Sequence, residues 1–449
     1  MTETIAALST PPGVSGLAVV RLSGPACADA ARRCLGREDW KPRVLHAASF
    51  RDPETGETLD ALAFHFLPGP NSPTGEDVLE IFPHGNPLLV EAVLRALLRL
   101  PGVRAAEPGE FTRRAFENGR LDLIQAEAVG ALVHAQTRAA LENARKLLRG
   151  ELSERLRGLR DELLDLSARL ELEVDFAEEE ADPDYASWKP RVEGARAEVE
   201  RLLRGYERGK TWNRAPRAVV FGAPNAGKSS LINALTGRDR LLVSEVAGTT
   251  RDFVDVPLRL AGGLLEIVDT AGLGEAVDAL DARAMERTRA QLDGADLRVY
   301  VSDGTKARDD DGAAGPEEAA AFAGADVRVL TKRDLPGFSA REGYLAVSSR
   351  TGEGLEEVLA ELERRVEASR AAPDGANEEA VAATERQREG LEKARDRLLA
   401  AEAHLARKPA VEILAFEVRE ACLALREMLG EIRADDVLHR LFSGFCIGK

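Results

Sequence analysis

Gly222-Ala-Pro-Asn-Ala-Gly-Lys-Ser229 follows the apolar run AVVF (218–221) and opens the helical pattern SSLINALTG (229–237). A strand, a Gly-rich loop and a helix in this order make a phosphate cradle. Glycines at 222 and 227 let backbone N–H groups turn inward, and the helix N-terminus adds its dipole. In such a loop Lys228 is expected to reach the β- and γ-phosphates and the Ser229 hydroxyl to bind Mg²⁺, with Asn225, Ala226 and Ser230 lining the nucleotide.

Further short motifs follow downstream in order. Gly248-Thr249-Thr250-Arg251-Asp252 offers Thr250 as the switch I hydroxyl that completes the Mg²⁺ sphere when γ-phosphate is present. Asp269-Thr270-Ala271-Gly272 ends the run LLEIVD (264–269); Asp269 is expected to hold Mg²⁺ through its shell and the Gly272 amide to sense γ-phosphate. Thr331-Lys332-Arg333-Asp334 ends VRVLTK (327–332), and the Asp334 carboxylate can accept both the N1–H and the 2-amino N–H of guanine. Adenine cannot match that pair, and the wrong base leaves buried groups unpaired. Ser348-Ser349-Arg350 is expected to support the base from the far side. Each motif is weak alone, but five in order at workable spacing imply GTP. Two departures stand out. Thr331 occupies a place where Asn is usual, and a Thr hydroxyl can make some of the same hydrogen bonds, so guanine selectivity is expected to survive. Leu273 stands where many GTPases carry the Gln that orients the attacking water, so another group must serve; Glu275, Asp278 and Asp281 are the nearest carboxylates.

Outside residues 215–370 the pattern changes. The first 118 residues mix short β-like runs, GLAVVRL (16–22) and ALAFHFL (61–67), with the helical spacing of PLLVEAVLRALLRL (87–100), which reads as an α+β domain. Residues 119–214 and 371–449 keep apolar residues three and four apart with charges between, as packed helices require. The reading is a multidomain α+β and α/β chain: an amino-terminal domain (1–118), a helical domain in two parts (119–214 and 371–449) and a Ras-like P-loop domain (215–370) inserted between them. The amino terminus lacks the basic and apolar regions of a signal peptide, and no apolar run approaches membrane-spanning length, so no membrane role and a cytoplasmic location are expected. Cys27, Cys34, Cys422 and Cys446 have no metal-ligand spacing; the first two read as buried small hydrophobes. A net charge of −16 excludes RNA binding by bulk electrostatics and leaves only a local patch or a partner's surface.

PPG (11–13), GPNSPTGEDVLEI (69–81), PGEFTRRAFENGRLDLIQAEAV (108–129) and FCIGK (445–449), taken with the nucleotide motifs, resemble the tRNA modification GTPase family MnmE, also called TrmE, along almost the full length. The resemblance implies a folate-binding, dimerising amino-terminal domain. It implies action on the wobble uridine of tRNA with the FAD-containing partner MnmG, as a homodimer within a heterotetramer. An aminomethyl or carboxymethylaminomethyl group would be added at C5 with a 5-formyl- or methylene-tetrahydrofolate donor, FAD entering only through MnmG. It further implies K⁺-dependent GTP hydrolysis, with Asn225 as a K⁺ ligand and Ser244, Val246 and Thr249 at the matching loop positions. Asp281 stands at the position of the family's general-base Glu, one methylene shorter. The folate positions carry over to Arg21, Glu80, Arg120 and Lys449, where Arg120 often has a Lys counterpart. Two readings of Cys446 stand open, a reactive thiol beside folate or a packed terminal residue. The competing class is a GTPase switch acting on ribosomal RNA, which should carry a basic RNA-binding appendage; acidic helices flank the P-loop domain instead.

Overall fold

The computed structural model describes residues 3–36, 38–175, 184–209, 214–237, 255–270, 291–306, 322–370, 384–407, 410–432 and 435–448. The chain divides into two compact units: residues 1–134, 143–206 and 383–449 form one, and residues 135–142 and 207–382 the other.

The first unit begins with β1 (Thr4–Leu8), β2 (Val20–Ser23), α1 (Cys27–Leu35), β3 (His46–Arg51), β4 (Thr58–Leu67), β5 (Val78–Phe82), α2 (Pro87–Leu98), β6 (Val103–Ala105) and α3 (Glu110–Glu117). The strands form one six-stranded sheet in the order β3-β4-β5-β2-β1-β6. Strand alternation sorts the two faces. Leu22, Leu62, Phe64, Phe66, Leu79 and Ile81 fill a core with residues of α1 and α2, while Ile5, Ala7 and Phe111 pack as a smaller cluster. Asn86 accepts from the Leu88 and Leu89 amides and Pro87 fills the first turn, so α2 starts as its sequence dictates. β2 is shorter than the run 16–22 suggests, because Ser15 bridges Gly85 and Leu17 is left exposed. Cys27 and Cys34 are buried, and that burial pushes both thiols up to about 12.

The chain continues through α4 (Leu123–His134), α5 (Arg138–Leu148), α6 (Glu151–Asp175) and α7 (Tyr185–Gly209). The second unit holds β7 (Arg217–Phe221), α8 (Lys228–Gly237), β8 (Asp255–Leu260), β9 (Gly263–Asp269), β10 (Leu297–Asp303), β11 (Val327–Thr331), β12 (Leu345–Ala346) and α9 (Leu355–Arg370). Its sheet order is β12-β11-β10-β7-β9-β8, with only β8 antiparallel to its neighbour. β7 lies in the middle of this sheet, so the loop that leaves it is held from both sides. Residues 136–138 join this unit: Thr137 bridges Gly263, the Leu264 amide donates to Gln136 O at 2.9 Å and the Arg138 amide to Gly262 O at 3.0 Å. Gly263 has φ +128°, and a Cβ there would stand 2.6 Å from Gln136 O, so only glycine admits the approach.

The first unit resumes with α10 (Glu385–Leu405), α11 (Val411–Leu429) and α12 (Asp435–Ser443), and α11 packs on both α6 and α10. Leu152, Leu156, Leu159, Leu163, Leu166 and Leu170 of α6 are buried at helical spacing, as are Leu391, Ala394, Leu398 and Ala401 of α10. Among the described residues no helix is long and apolar enough to cross a membrane.

Candidate functional site: a nucleotide-binding loop and a second, carboxylate-centred cluster

The phosphate loop takes its shape from three residues in unusual backbone conformations. Gly222 has φ +142°, and a Cβ there would stand 2.1 Å from Val301 O, so the loop can leave the sheet only at a glycine. Asn225 is left-handed at φ +61° with its side chain exposed, and Gly227 has φ +93°. Lys228, buried at the start of α8, donates to Gly222 O at 3.1 Å and Ala223 O at 3.0 Å, so its ammonium lies over the loop. Ser229 donates to Asp269 Oδ2 at 2.6 Å, and Asp269 Oδ1 is buried with no hydrogen-bond partner among the described residues. A hydroxyl beside a carboxylate with an orphaned oxygen suits a hard divalent cation. Ser230 lines the adjoining cavity.

That cavity, of about 600 Å³, runs between α8 and the turn after β11, and Asn233, Thr331, Lys332, Asp334, Ser349 and Arg350 help line it. Thr331 is buried; its hydroxyl donates to Ala226 O at 2.6 Å, with Ser302 O at 3.2 Å. The hydroxyl thus ties the base-reading turn to the phosphate loop. Lys332, left-handed at φ +61°, donates to Asp303 Oδ2 at 2.6 Å and to Asn225 O at 3.2 Å. Burial pushes the Asp303 carboxyl up, but the Lys332 ammonium and the Thr305 amide and hydroxyl outweigh it and hold it below its ordinary value. Asp334 accepts from Ser348 Oγ and from Arg350 Nε, each at 2.7 Å, and these bonds hold its carboxyl low as well. An ionised carboxylate fixed on both oxygens faces the cavity with lone pairs to spare. Asp303 and Asn233 escaped the sequence reading. Asp303 ends β10 directly opposite Thr331 of β11, a pairing that only the strand register reveals.

In the first unit, Arg21 Nε donates to Glu80 Oε1 at 2.6 Å, and Glu80 Oε2 lies 2.9 Å from His65 Nε2. The guanidinium of Arg21 is 5.7 Å from the Phe111 ring centroid. The carboxy-terminal segment reaches the same place: Gly448 O accepts from Ser9 Oγ at 3.0 Å and Arg21 Nη1 at 3.5 Å, and Cys446 O accepts from the Gly109 amide at 3.4 Å. Gly448 has φ +93°, and a Cβ would meet Leu8 O at 2.3 Å, which accounts for glycine in FCIGK. Arg120 is exposed and lies against Gly75 of the 69–77 loop. Cys446 is exposed. A carboxylate and a guanidinium side by side, next to the chain end, suit a heterocycle with N–H donors and an acidic tail. Ser244, Val246, Thr249, Thr250, Gly272, Leu273, Glu275, Asp278, Asp281 and Lys449 lie outside the described residues.

A mostly parallel sheet, a loop held by Gly222 and Gly227, and a base-reading turn tied back to that loop define a P-loop GTPase. Family models described as "GTP-binding protein TrmE N-terminus" and "MnmE helical domain" match residues 4–120 and 123–446. Similar curated relatives include proteins named tRNA modification GTPase MnmE from Parvibaculum lavamentivorans (40% identical; 100% of this chain, 100% of the relative) and Azorhizobium caulinodans (40%; 100% and 99%), and from Methylorubrum populi (41%; 100% and 98%). The chain belongs to the tRNA modification GTPase MnmE family.

Proposed function

We propose that this chain hydrolyses GTP within a machinery that modifies the wobble uridine of tRNA at C5. It would act as a K⁺-dependent, dimeric GTPase together with MnmG, in the cytoplasm. The observation that carries the nucleotide part is the fixed Asp334 carboxylate at the mouth of a cavity continuous with the phosphate loop. The tRNA part rests on identity over the whole chain to relatives bearing that name.

In this reading Lys228 exchanges its loop carbonyls for β- and γ-phosphate oxygens. Asp334 reads the guanine edge; Ser229 and the Thr250 hydroxyl would hold Mg²⁺, with Asp269 acting through its shell. Asn225, with Ser244, Val246 and Thr249, would hold K⁺, and the bound cations would supply positive charge near the phosphate oxygens. Asp281, one methylene shorter than the family's Glu, would take the proton of the attacking water through an extra water or altered switch packing, since Leu273 cannot orient that water. Arg21 and Glu80, with Arg120 and Lys449, would bind the tetrahydrofolate derivative that donates the one-carbon unit, the carboxylate facing the pterin. Turnover measured in KCl and in NaCl tests the cation part. The account expects fast hydrolysis in KCl only, and loss of the K⁺ stimulation in D281A; equal rates in the two salts remove Asn225 from its role.

A further inference from the structure

Arg21, Glu80 and His65 stand directly opposite one another on β2, β5 and β4, so they form one row across three adjacent strands. Residues paired in register project from the same face, close enough to touch. The alternate positions, Leu22, Ile81 and Phe64 among them, fill the core beneath α1 and α2, so the row lies on the opposite face. Glu80 is therefore flanked on both sides. Oε1 accepts from Arg21 Nε at 2.6 Å, and Oε2 lies 2.9 Å from His65 Nε2. The second approach does not meet hydrogen-bond geometry, and Nε2 is buried without a hydrogen-bond partner among the described residues. A buried ring nitrogen in that state costs free energy until a small shift or a ligand satisfies it. Phe82 meets the imidazole at 5.4 Å with the rings 67° apart and limits its rotation.

We propose that His65 is a specificity-determining positioning residue of the pterin-reading carboxylate. Arg21 fixes one oxygen of Glu80, and the small shift that lets His65 Nε2 donate to the other fixes that one too, which sets the plane that the carboxylate offers to a flat heterocycle with adjacent N–H donors. The inference rests on the folate reading given above. Held from one side only, the terminal torsion of a glutamate is broad. Held from both, each oxygen keeps a lone pair for the ligand and points it in a defined direction. A leucine at 65 would fill the same space beside Phe82 and lose only the polar contact; a glutamine would restore a donor.

The experiment is titration of the full chain with 5-formyltetrahydrofolate and with its 2-desamino analogue, for the native protein and for H65L, H65Q, R21A and E80Q, with a thermal melt of each. H65L is expected to bind 5-formyltetrahydrofolate roughly tenfold more weakly and to lose preference over the analogue in proportion, while H65Q stays within about threefold of native. Native melting in H65L and rescue by H65Q separate positioning from mere packing. Native affinity and preference in H65L, with R21A and E80Q impaired, overturn the role of His65 alone. Native binding by all the variants overturns the folate reading beneath it.

Discussion

At the scale of the residue, the base-reading turn depends on two side chains that bond within the protein. Thr331 gives its single hydroxyl proton to Ala226 O at 2.6 Å, which holds the turn against the phosphate loop. Valine has the same shape and no donor. T331V should therefore weaken GDP binding about five- to tenfold in a fluorescence titration, and unchanged affinity would mean that the hydroxyl has no part in the link. Asp303 does the corresponding work for Lys332, at 2.6 Å. Its carboxyl is held below the ordinary value of 3.8, so the stability it contributes is fully present above that value and is lost only as the pH falls through the lower native one. The melting difference between the native protein and D303N should stay constant from about pH 8 to pH 5 and narrow only on further acidification. A difference that narrowed between pH 8 and 5 would contradict that assignment.

At the scale of the element, a buried carboxylate ties α4 to the start of α10. Glu127 of α4, 8% exposed, pairs with Arg386 and Gln387 at the start of α10 and accepts from Thr384 Oγ1 at 3.3 Å. Thr384 and Gln387 also form the capping box of that helix, so one side chain joins a helix start and a half-buried cation. E127A leaves Arg386 without its counter-charge and should cost about 3 kcal/mol in denaturant unfolding of this unit. A loss near zero would mean that solvent replaces the carboxylate. Elements of this kind were partly legible in the sequence. LRVYVSD maps onto β10, VRVLTK onto β11 and PLLVEAVLRALLRL onto α2, because their periodicity and caps are local. The pairing of residues 136–138 with Gly263 was not legible, since it depends on a backbone approach between segments far apart in the chain. His65 lies within ALAFHFL, yet only the register of β4, β5 and β2 sets it beside Glu80 and Arg21.

At the scale of the whole molecule, the nucleotide motifs are read from the sequence because each is short and its chemistry is carried by a turn; of the five, 248–252 lies wholly outside the described residues. The described parts of the site keep their order: β7 feeds the phosphate loop, β9 ends at Asp269, and β11 ends at the base-reading turn. The resemblance in the flanking regions was legible too, through PPG, GPNSPTGEDVLEI and FCIGK, and the family matches over 4–120 and 123–446 agree with it. What such motifs do not carry is how distant strands align; Asp303, Asn233 and His65 each enter a site through strand or helix neighbours. A net charge of −16 remains a constraint on any tRNA contact, which must use a local surface or one supplied by a partner. The central claim is that this GTPase serves wobble-uridine modification, and nucleoside analysis of bulk tRNA from a strain lacking the gene tests it most directly. The account predicts loss of the C5 aminomethyl or carboxymethylaminomethyl wobble uridines, restored by the native gene. Normal levels of those nucleosides in the deletion strain would contradict it.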